Sequence, residues 1–188
     1  MFTISRRGGF RMKLKTKELT FIALAAALMA VFSQISLPIG SVPMTVQIFA
    51  VVLIGTVLDK KSATISMVIF VLLGAIGIPV FANFKSGLSA ILGATGGYLY
   101  GFIFTAFIVA YLKEFNNKIL LYAGTVFSIV LTEFIGTLQL KIVLSLTMVQ
   151  ALTAGFIPFI LKDIILGIIA VIVGQLLTNK LRITRVIS

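Results

Sequence analysis

Long apolar stretches alternate with short polar breaks along most of the chain. A helix needs about 20 mainly apolar residues to cross the hydrocarbon core of a bilayer. Six stretches approach this length, at about residues 19–37, 45–58, 62–78, 92–112, 119–142 and 158–178. Prolines, glycines and charged residues separate them, and the last break is a softer polar stretch, Thr147–Pro158. The pattern predicts an all-α integral membrane protein with six transmembrane helices.

The composition supports this prediction. Of the 188 residues, 60% are hydrophobic and 11% are charged, whereas about 25% of the residues of a soluble domain are charged. So few charges exclude a cytosolic enzyme and a nucleic-acid-binding protein. The chain contains no cysteine and no histidine, which removes thiol nucleophiles, the commonest general base and the commonest metal ligand. We therefore expect no enzymatic activity, no bound metal and no cofactor.

The basic residues predict the orientation of the helices. With the N-terminus inside, thirteen of the sixteen lysines and arginines fall in inner segments. These inner segments are residues 1–18, 59–61, 113–118 and 179–188. Only Lys85, Lys141 and Lys162 remain for the outer half. Because a Lys/Arg bias over short loops sets orientation, both termini are expected to be cytoplasmic.

Three segments follow from this topology. Residues 1–18 form a basic cytoplasmic leader, residues 19–178 form the membrane domain, and residues 179–188 form a basic cytoplasmic tail. A secretory signal peptide is disfavoured, because no clear small-residue cleavage site precedes Pro38 and five more apolar stretches follow.

Four charged residues lie inside the last two stretches, where a lipid-facing surface would not hold them. A charge at mid-bilayer costs roughly 2.5–3.5 kcal/mol, so such groups face a cavity or a partner. They are Glu133 and Lys141 in the fifth stretch, and Lys162 and Asp163 in the sixth. Glu133 fits a ligand contact, an internal ion pair or a hydrogen-bonded carboxyl. Lys162 fits a ligand contact or a snorkelling position at the outer interface, and Asp163 fits a ligand contact, a helix-start charge or a partner for Lys141.

Two other segments combine small and polar residues. Segment Gly77–Tyr98 mixes glycines, aromatics and amides between two stretches, which fits a cavity lining or a simple connector. It lacks the Gly-x-x-x-x-Gly-Lys-Ser/Thr pattern of a phosphate loop. In the first stretch, Ala23 and Ala27 stand four residues apart, which lets another helix approach closely. That helix belongs either to the same bundle or to a partner protein.

Four short segments carry a resemblance to a known family. They are Ile39–Gln47, Gly77–Ala82, Gly93–Phe102 and Gly155–Asp163. Together they make the chain resemble the biotin-specific S components of the energy-coupling-factor (ECF) transporters, the BioY family, over about residues 19–177. The resemblance implies a substrate-binding subunit in the cytoplasmic membrane of a prokaryote, with a biotin pocket that faces outward.

The resemblance also implies partners. A transmembrane coupling (T) subunit and two ATPase subunits would complete the transporter, and ATP hydrolysis would take place only there. The face of the first helix that carries Ala23 and Ala27 would dock on the coupling subunit.

Biotin makes three demands on such a pocket. Its urea needs acceptors for two N–H groups and a donor for one carbonyl, its bicyclic ring needs apolar walls, and its carboxylate suits a cation. The expected residues are Asp163 and Asn83 for the urea, Tyr98 and Phe81 for the ring, Lys85 or Lys162 for the carboxylate, and Thr45, Gln47 and Thr95 as further lining residues.

Two other functions stay open on the sequence alone. One is a stand-alone carrier coupled to protons through Glu133 or Asp163, although many such carriers show internal repeats and none is apparent here. The other is an S component for another small anionic vitamin.

Overall fold

The computed structural model describes residues 16–38, 40 and 42–187, with side chains described as far as Lys180. These residues form eight α-helices and a two-stranded antiparallel sheet. The helices are α1 Thr16–Gln34, α2 Gln47–Val57, α3 Lys60–Ala75, α4 Leu88–Leu92, α5 Gly96–Lys113, α6 Lys118–Val143, α7 Met148–Gly155 and α8 Ile157–Ile187. The strands are β1 Ser36–Leu37 and β2 Met44–Thr45, and a short 3-10 helix covers Ala82–Phe84. Most of the predicted leader and most of the predicted tail lie outside the described side chains.

Polar side chains at two breaks explain where helices begin. Asp59 accepts hydrogen bonds from the Lys61 and Ser62 backbone amides at the start of α3, at 3.0 and 3.1 Å. Burial raises the pKa of Asp59, but its hydrogen bonds to Ser62 and Lys61 outweigh this effect and hold the pKa below its usual value. Asn117 caps α6 in the same way, by accepting from the Leu120 amide at 3.2 Å. These caps satisfy amide groups that a helix start leaves without partners.

All six apolar stretches overlap a helix, but one predicted break and one predicted stretch differ in detail from the structure. The stretch Thr147–Pro158 contains α7, which begins with a reciprocal capping box between Thr147 and Gln150. The fourth stretch is divided, because α4 ends at Leu92 and α5 begins only at Gly96. At this break Gln139 of α6 donates to the carbonyls of Ile91 and Gly93, at 2.9 and 2.7 Å. The amide side chain thus satisfies carbonyl groups at the end of α4 and in the break after it.

Within the described part of the chain, four segments are long and apolar enough to cross a bilayer. They are Thr16–Gln34, Gly96–Lys113, Lys118–Val143 and Met148–Lys180, which joins α7 to α8. Large apolar side chains, such as those of Leu24, Phe127 and Leu161, lie exposed on the outside of the bundle. Such exposed apolar surface is expected on a protein surrounded by lipid, so these features support a multi-pass membrane protein.

Helices α5 and α6 pack closely because glycines face the partner helix. A Cβ atom at Gly97 would lie 2.6 Å from the carbonyl oxygen of Ile135, and one at Gly101 would lie 2.8 Å from the Cα of Thr132. Between the same helices, the buried hydroxyls of Thr105 and Thr132 are hydrogen-bonded at 2.8 Å. Small residues and hydroxyl pairs of this kind stabilise helix contacts in membranes. The α5–α6 pair therefore forms a firm wall for the cavity described below.

A candidate ligand-binding cavity

Two connecting segments cover one end of the helix bundle. The first is the β1–β2 hairpin, in which Ser36 pairs with Thr45 and Leu37 pairs with Met44. Its returning arm brings Val42 and Pro43 to the mouth of a cavity. The second is the segment between α3 and α4, which we call the cover loop, residues 80–85.

The C-terminal end of α1 holds the cover loop. The Ser33 hydroxyl donates a hydrogen bond to the Val80 carbonyl. The Gln34 side chain donates to the Phe81 carbonyl at 3.1 Å and accepts from the Phe84 amide at 3.0 Å. These bonds give the loop a defined position, although it belongs to no long helix or strand.

The cavity between these segments and the helices encloses about 670 Å³, including its open mouth. Its apolar walls come from α2, α4, α5, α8 and the covering segments, and they consist of Val42, Pro43, Ile48, Phe81, Ala82, Ala90, Leu99, Phe102 and Phe159. Its polar lining consists of Thr45, Gln47, Lys85, Thr95, Tyr98, Glu133, Lys162 and Asp163. Apolar walls with a few convergent polar groups are typical of a ligand site.

Lys162 and Asp163 form an ion pair at the wall of the cavity. The Lys162 Nζ lies 2.6 Å from the Asp163 Oδ1 and 2.5 Å from the Thr45 carbonyl oxygen. The ammonium also lies 6.0 Å from the centre of the Phe159 ring, within reach of a cation–π contact. Asp163 is 4% exposed. The structure thus links the start of α8 to strand β2, and the suggested pairing of Asp163 with Lys141 is wrong.

Two polar atoms of the lining have no hydrogen-bond partner among the described residues. They are Nε2 of Gln47, at the start of α2, and Oε2 of Glu133, on α6. Gln47 is 5% exposed and Glu133 is 4% exposed, so neither atom reaches bulk solvent. An unpaired buried polar group costs about 1–3 kcal/mol, which makes both atoms candidates for contact with a ligand.

Tyr98 connects the cavity to the α5–α6 wall. Its hydroxyl donates to the Gly155 carbonyl at 2.6 Å, and its ring packs against α6 where Gly136 leaves room. A Cβ atom at Gly136 would lie 2.3 Å from the Tyr98 ring. The missing side chain of Gly136 therefore sets the position of an aromatic wall of the cavity.

We expect Gly136→Ala to destabilise the protein by about 1–3 kcal/mol, because an extra methyl in a packed interior forces its neighbours to move. Tyr98 is the neighbour that must move, so ligand affinity should fall as well. The unfolding temperature in detergent measures the first effect and equilibrium binding measures the second. Phe134→Leu, on the exposed face of α6, is the control and should leave both unchanged. An unchanged unfolding temperature for Gly136→Ala would contradict this role of the glycine.

The structure brings nearly all the predicted site residues to one cavity. Asp163, Tyr98, Phe81, Lys85, Lys162, Thr45, Gln47 and Thr95 all line it. Asn83 does not: its side chain is exposed and its Oδ1 accepts a hydrogen bond from the Ser36 hydroxyl at 2.7 Å. Asn83 also has a positive φ of 57°, which turns the cover loop locally. Its contact with the ligand stays a prediction.

Some lining residues were not predicted, although the sequence contains a signal for them. Thr95, Tyr98, Leu99 and Phe102 follow the spacing i, i+3, i+4 and i+7, which places all four on one face at the start of α5. Phe159 precedes Asp163 by four residues, so both point to the same side of α8. Extending each predicted residue along its helix face would have found them.

The small-residue face of α1 is divided between the interior and the outside. Ala25 and Ala26 are buried, at 6% and 2% exposure, and they pack within the bundle. Ala23 and Ala27 are exposed. The stripe that carries these two alanines is therefore not used by the described part of this chain.

Comparison with known proteins settles the family. A sequence model described as the BioY family matches residues 7–183. The chain belongs to the BioY family. This confirms the resemblance found in the four sequence segments.

Relatives in the BioY family cover most of the chain. The biotin transporter BioY of Thermotoga maritima is 38% identical over 170 residues, which are 90% of this chain and 99% of the relative. The probable biotin transporter BioY of Pyrococcus horikoshii is 38% identical over 167 residues, with 89% and 99% coverage. Both are named as transporters, as expected for a chain that is not an enzyme.

A solved structure has the same fold. It is the crystal structure, at 2.1 Å, of the S-component for biotin from an ECF-type ABC transporter. The two structures superpose with a TM-score of 0.75 at 26% sequence identity, over 91% of this chain and 95% of the other. The helical bundle of this BioY-family chain is therefore an S-component membrane fold.

Proposed function

We propose that this protein is the substrate-binding S component of an ECF-type importer and that it binds biotin in the cavity described above. The observation that carries the proposal is the cavity itself: apolar and aromatic walls surround a buried carboxylate and unpaired polar atoms, in a chain with the fold of a biotin S component. A transmembrane coupling subunit and two ATPase subunits would drive release in trans.

The charge distribution supports an outward-facing cavity and two cytoplasmic termini. Lys60 at the start of α3 is paired with Glu114 after α5 at 2.8 Å, and Lys113 donates to the Leu58 carbonyl at 2.5 Å. The loops that hold these lysines thus meet at one end of the bundle. Helices α2 and α5 begin beside the cavity and end at this basic end. Since basic loops stay in the cytoplasm, the cavity lies on the outer side.

We propose six membrane crossings, made by α1, α2, α3, α5, α6 and α8, within the membrane domain 19–178. Helix α2 has 11 residues, which is about 16 Å at 1.5 Å per residue, against a core of about 30 Å. The non-helical backbone next to it completes the crossing. Such backbone is tolerated at membrane depth where protein surrounds it.

The polar lining fits the polar groups of biotin. Asp163 is buried and carries an acceptor for a urea N–H. Phe81 and Tyr98 provide aromatic walls for the bicyclic ring, and Thr95 stands at the start of α5 beside them. Lys162 already bonds Asp163 and the Thr45 carbonyl. We therefore assign the ligand carboxylate to Lys85, which is exposed at the mouth.

The exposed alanines of α1 are the proposed docking face for the coupling subunit. Ala23 and Ala27 lie on one side of the helix and would let a second helix approach closely.

Binding to the isolated protein tests the ligand. We expect radiolabelled biotin to bind the purified chain in detergent, and we expect unlabelled biotin to displace it better than other vitamins do. Biotin methyl ester should bind at least tenfold more weakly, because it cannot pair with Lys85. The neutral variant Lys85→Met should bind biotin and the ester equally.

Three results would count against the proposal. Tighter binding of another vitamin would show that biotin is not the substrate. Equal affinities of wild type for biotin and its methyl ester would show that Lys85 does not pair with the ligand carboxylate. Uptake driven by a pH gradient into proteoliposomes that contain this chain alone would favour a stand-alone carrier instead.

A further inference from the structure

The cavity contains a second buried carboxyl group that the proposed ligand contacts do not use. Glu133 lies on α6 and lines the cavity together with Asp163 and Lys162. Its Oε2 atom is buried and has no hydrogen-bond partner among the described residues. Leaving a buried carboxyl oxygen unpaired is unfavourable, unless a ligand supplies the donor.

A matching donor lies elsewhere in the same cavity. The Oε1 atom of Gln47 accepts from the Thr45 hydroxyl at 3.1 Å, which leaves its Nε2 free to donate. That Nε2 is buried and has no acceptor within the described part of the chain. The lining therefore presents an unpaired acceptor on α6 and an unpaired donor on α2.

A cyclic urea has the complementary set of groups. It offers two N–H donors on either side of one carbonyl acceptor. Asp163 satisfies one N–H in the proposed function. Asn83 is not among the lining residues, and its Oδ1 already accepts from the Ser36 hydroxyl, so the other N–H has no assigned partner. We propose that Glu133 accepts a hydrogen bond from the second urea N–H and that Gln47 donates to the urea oxygen. This inference rests on the proposed function, since it names further contacts of the same ligand.

The assignment explains why these polar groups remain unpaired without ligand. A site built for a hydrogen-bonding ligand strongly rejects analogues that lack the matching groups, because its own buried groups then stay unpaired. Glu133 and Gln47 would thus select a cyclic urea over rings of similar size and shape without N–H groups.

The variant Glu133→Leu distinguishes a ligand contact of Glu133 from a structural role. We expect Glu133→Leu to bind biotin roughly tenfold more weakly, which is about the loss of one hydrogen bond. The unfolding temperature without ligand should stay equal or rise, because the variant removes an unpaired buried group. A purely structural residue would lose stability and affinity together. Glu133→Gln is the second variant: it keeps the shape of the side chain but replaces one carboxyl oxygen with an amide NH₂ group, and it should bind at least threefold more weakly.

Exchanging the donor and the acceptor tests the proposed hydrogen bond from Gln47 to the urea oxygen. In 2-iminobiotin an N–H group replaces the urea oxygen, so a donor stands where biotin has an acceptor. We expect wild type to prefer biotin, and we expect Gln47→Glu to shift the ratio of the two dissociation constants at least tenfold towards 2-iminobiotin. Thr95→Asp adds a carboxylate to the same cavity at another place and should shift this ratio less.

The control variants lie on the same two helices as Glu133 and Gln47, α6 and α2. Thr125→Val on α6 and Thr56→Val on α2 replace buried threonines outside the cavity, and biotin affinity should stay within twofold. The inference is overturned when wild type binds biotin while both Glu133 variants match its affinity and Gln47→Glu leaves the ratio unchanged. Failure of wild type to bind biotin would instead reject the proposed function.

Discussion

Asp163→Asn is expected to weaken biotin binding by about 100-fold. The carboxylate is buried and paired with Lys162 at 2.6 Å. Asparagine has nearly the same shape, but it removes the charge and leaves the Lys162 ammonium without its partner. A hydrogen bond to a charged group contributes about 1.5–3 kcal/mol, and breaking a partly buried ion pair adds to this loss. Titration of radiolabelled biotin with the purified variant measures the effect.

Two further variants make this result interpretable. Asp59→Asn is the matched control, because it makes the same chemical change at the cap of α3 and asparagine caps a helix as well as aspartate does. It should bind biotin like wild type. The double variant Lys162→Met/Asp163→Leu removes both charges, so it should stay folded and still fail to bind. Wild-type affinity in Asp163→Asn would show that this carboxylate does not contact the ligand.

Ala27→Trp is expected to abolish transport without changing ligand binding. The side chain of Ala27 is exposed on α1 and does not line the cavity. A tryptophan there would hold a partner helix away from the α1 backbone, and close approach is what small residues permit in membranes. We expect biotin uptake by cells that express the whole transporter to fall at least tenfold, while biotin affinity of the isolated chain stays within twofold.

Ala123→Trp is the matched control for this experiment. Ala123 is exposed on α6, so the same enlargement there meets lipid rather than the proposed partner. Uptake should remain close to that of wild type. Normal uptake by Ala27→Trp would contradict docking through this face of α1.

The positions of the helices could be predicted largely from apolar length. A run of about 20 apolar residues has few alternatives to a helix in a bilayer, so every predicted stretch overlaps one. Helix α7 was missed because its eight residues are too few for this criterion. Its Thr147–Gln150 capping box is a local signal in the sequence that would have indicated it.

The lining of the cavity could be predicted from polar residues in apolar surroundings, but the pairing between them could not. Lys162 and Asp163 are adjacent in the chain, and nothing in their spacing shows that the lysine also reaches the Thr45 carbonyl 117 residues away. Asn83 shows the same limit, because the direction of its side chain depends on a loop with positive φ. Such details follow from the packing of distant segments.

The hydrogen bonds from Ser33 and Gln34 to the cover loop have a mechanical consequence. Ala27 and Gln34 lie on the same helix, about 10 Å apart along its axis at 1.5 Å per residue. A rigid tilt of α1 would therefore either move the cover loop with the helix or break the hydrogen bonds that join the helix to Val80, Phe81 and Phe84. In the proposed transporter, docking of the coupling subunit on α1 would therefore also move the cover loop, and the dissociation rate of biotin would change with the angle of α1.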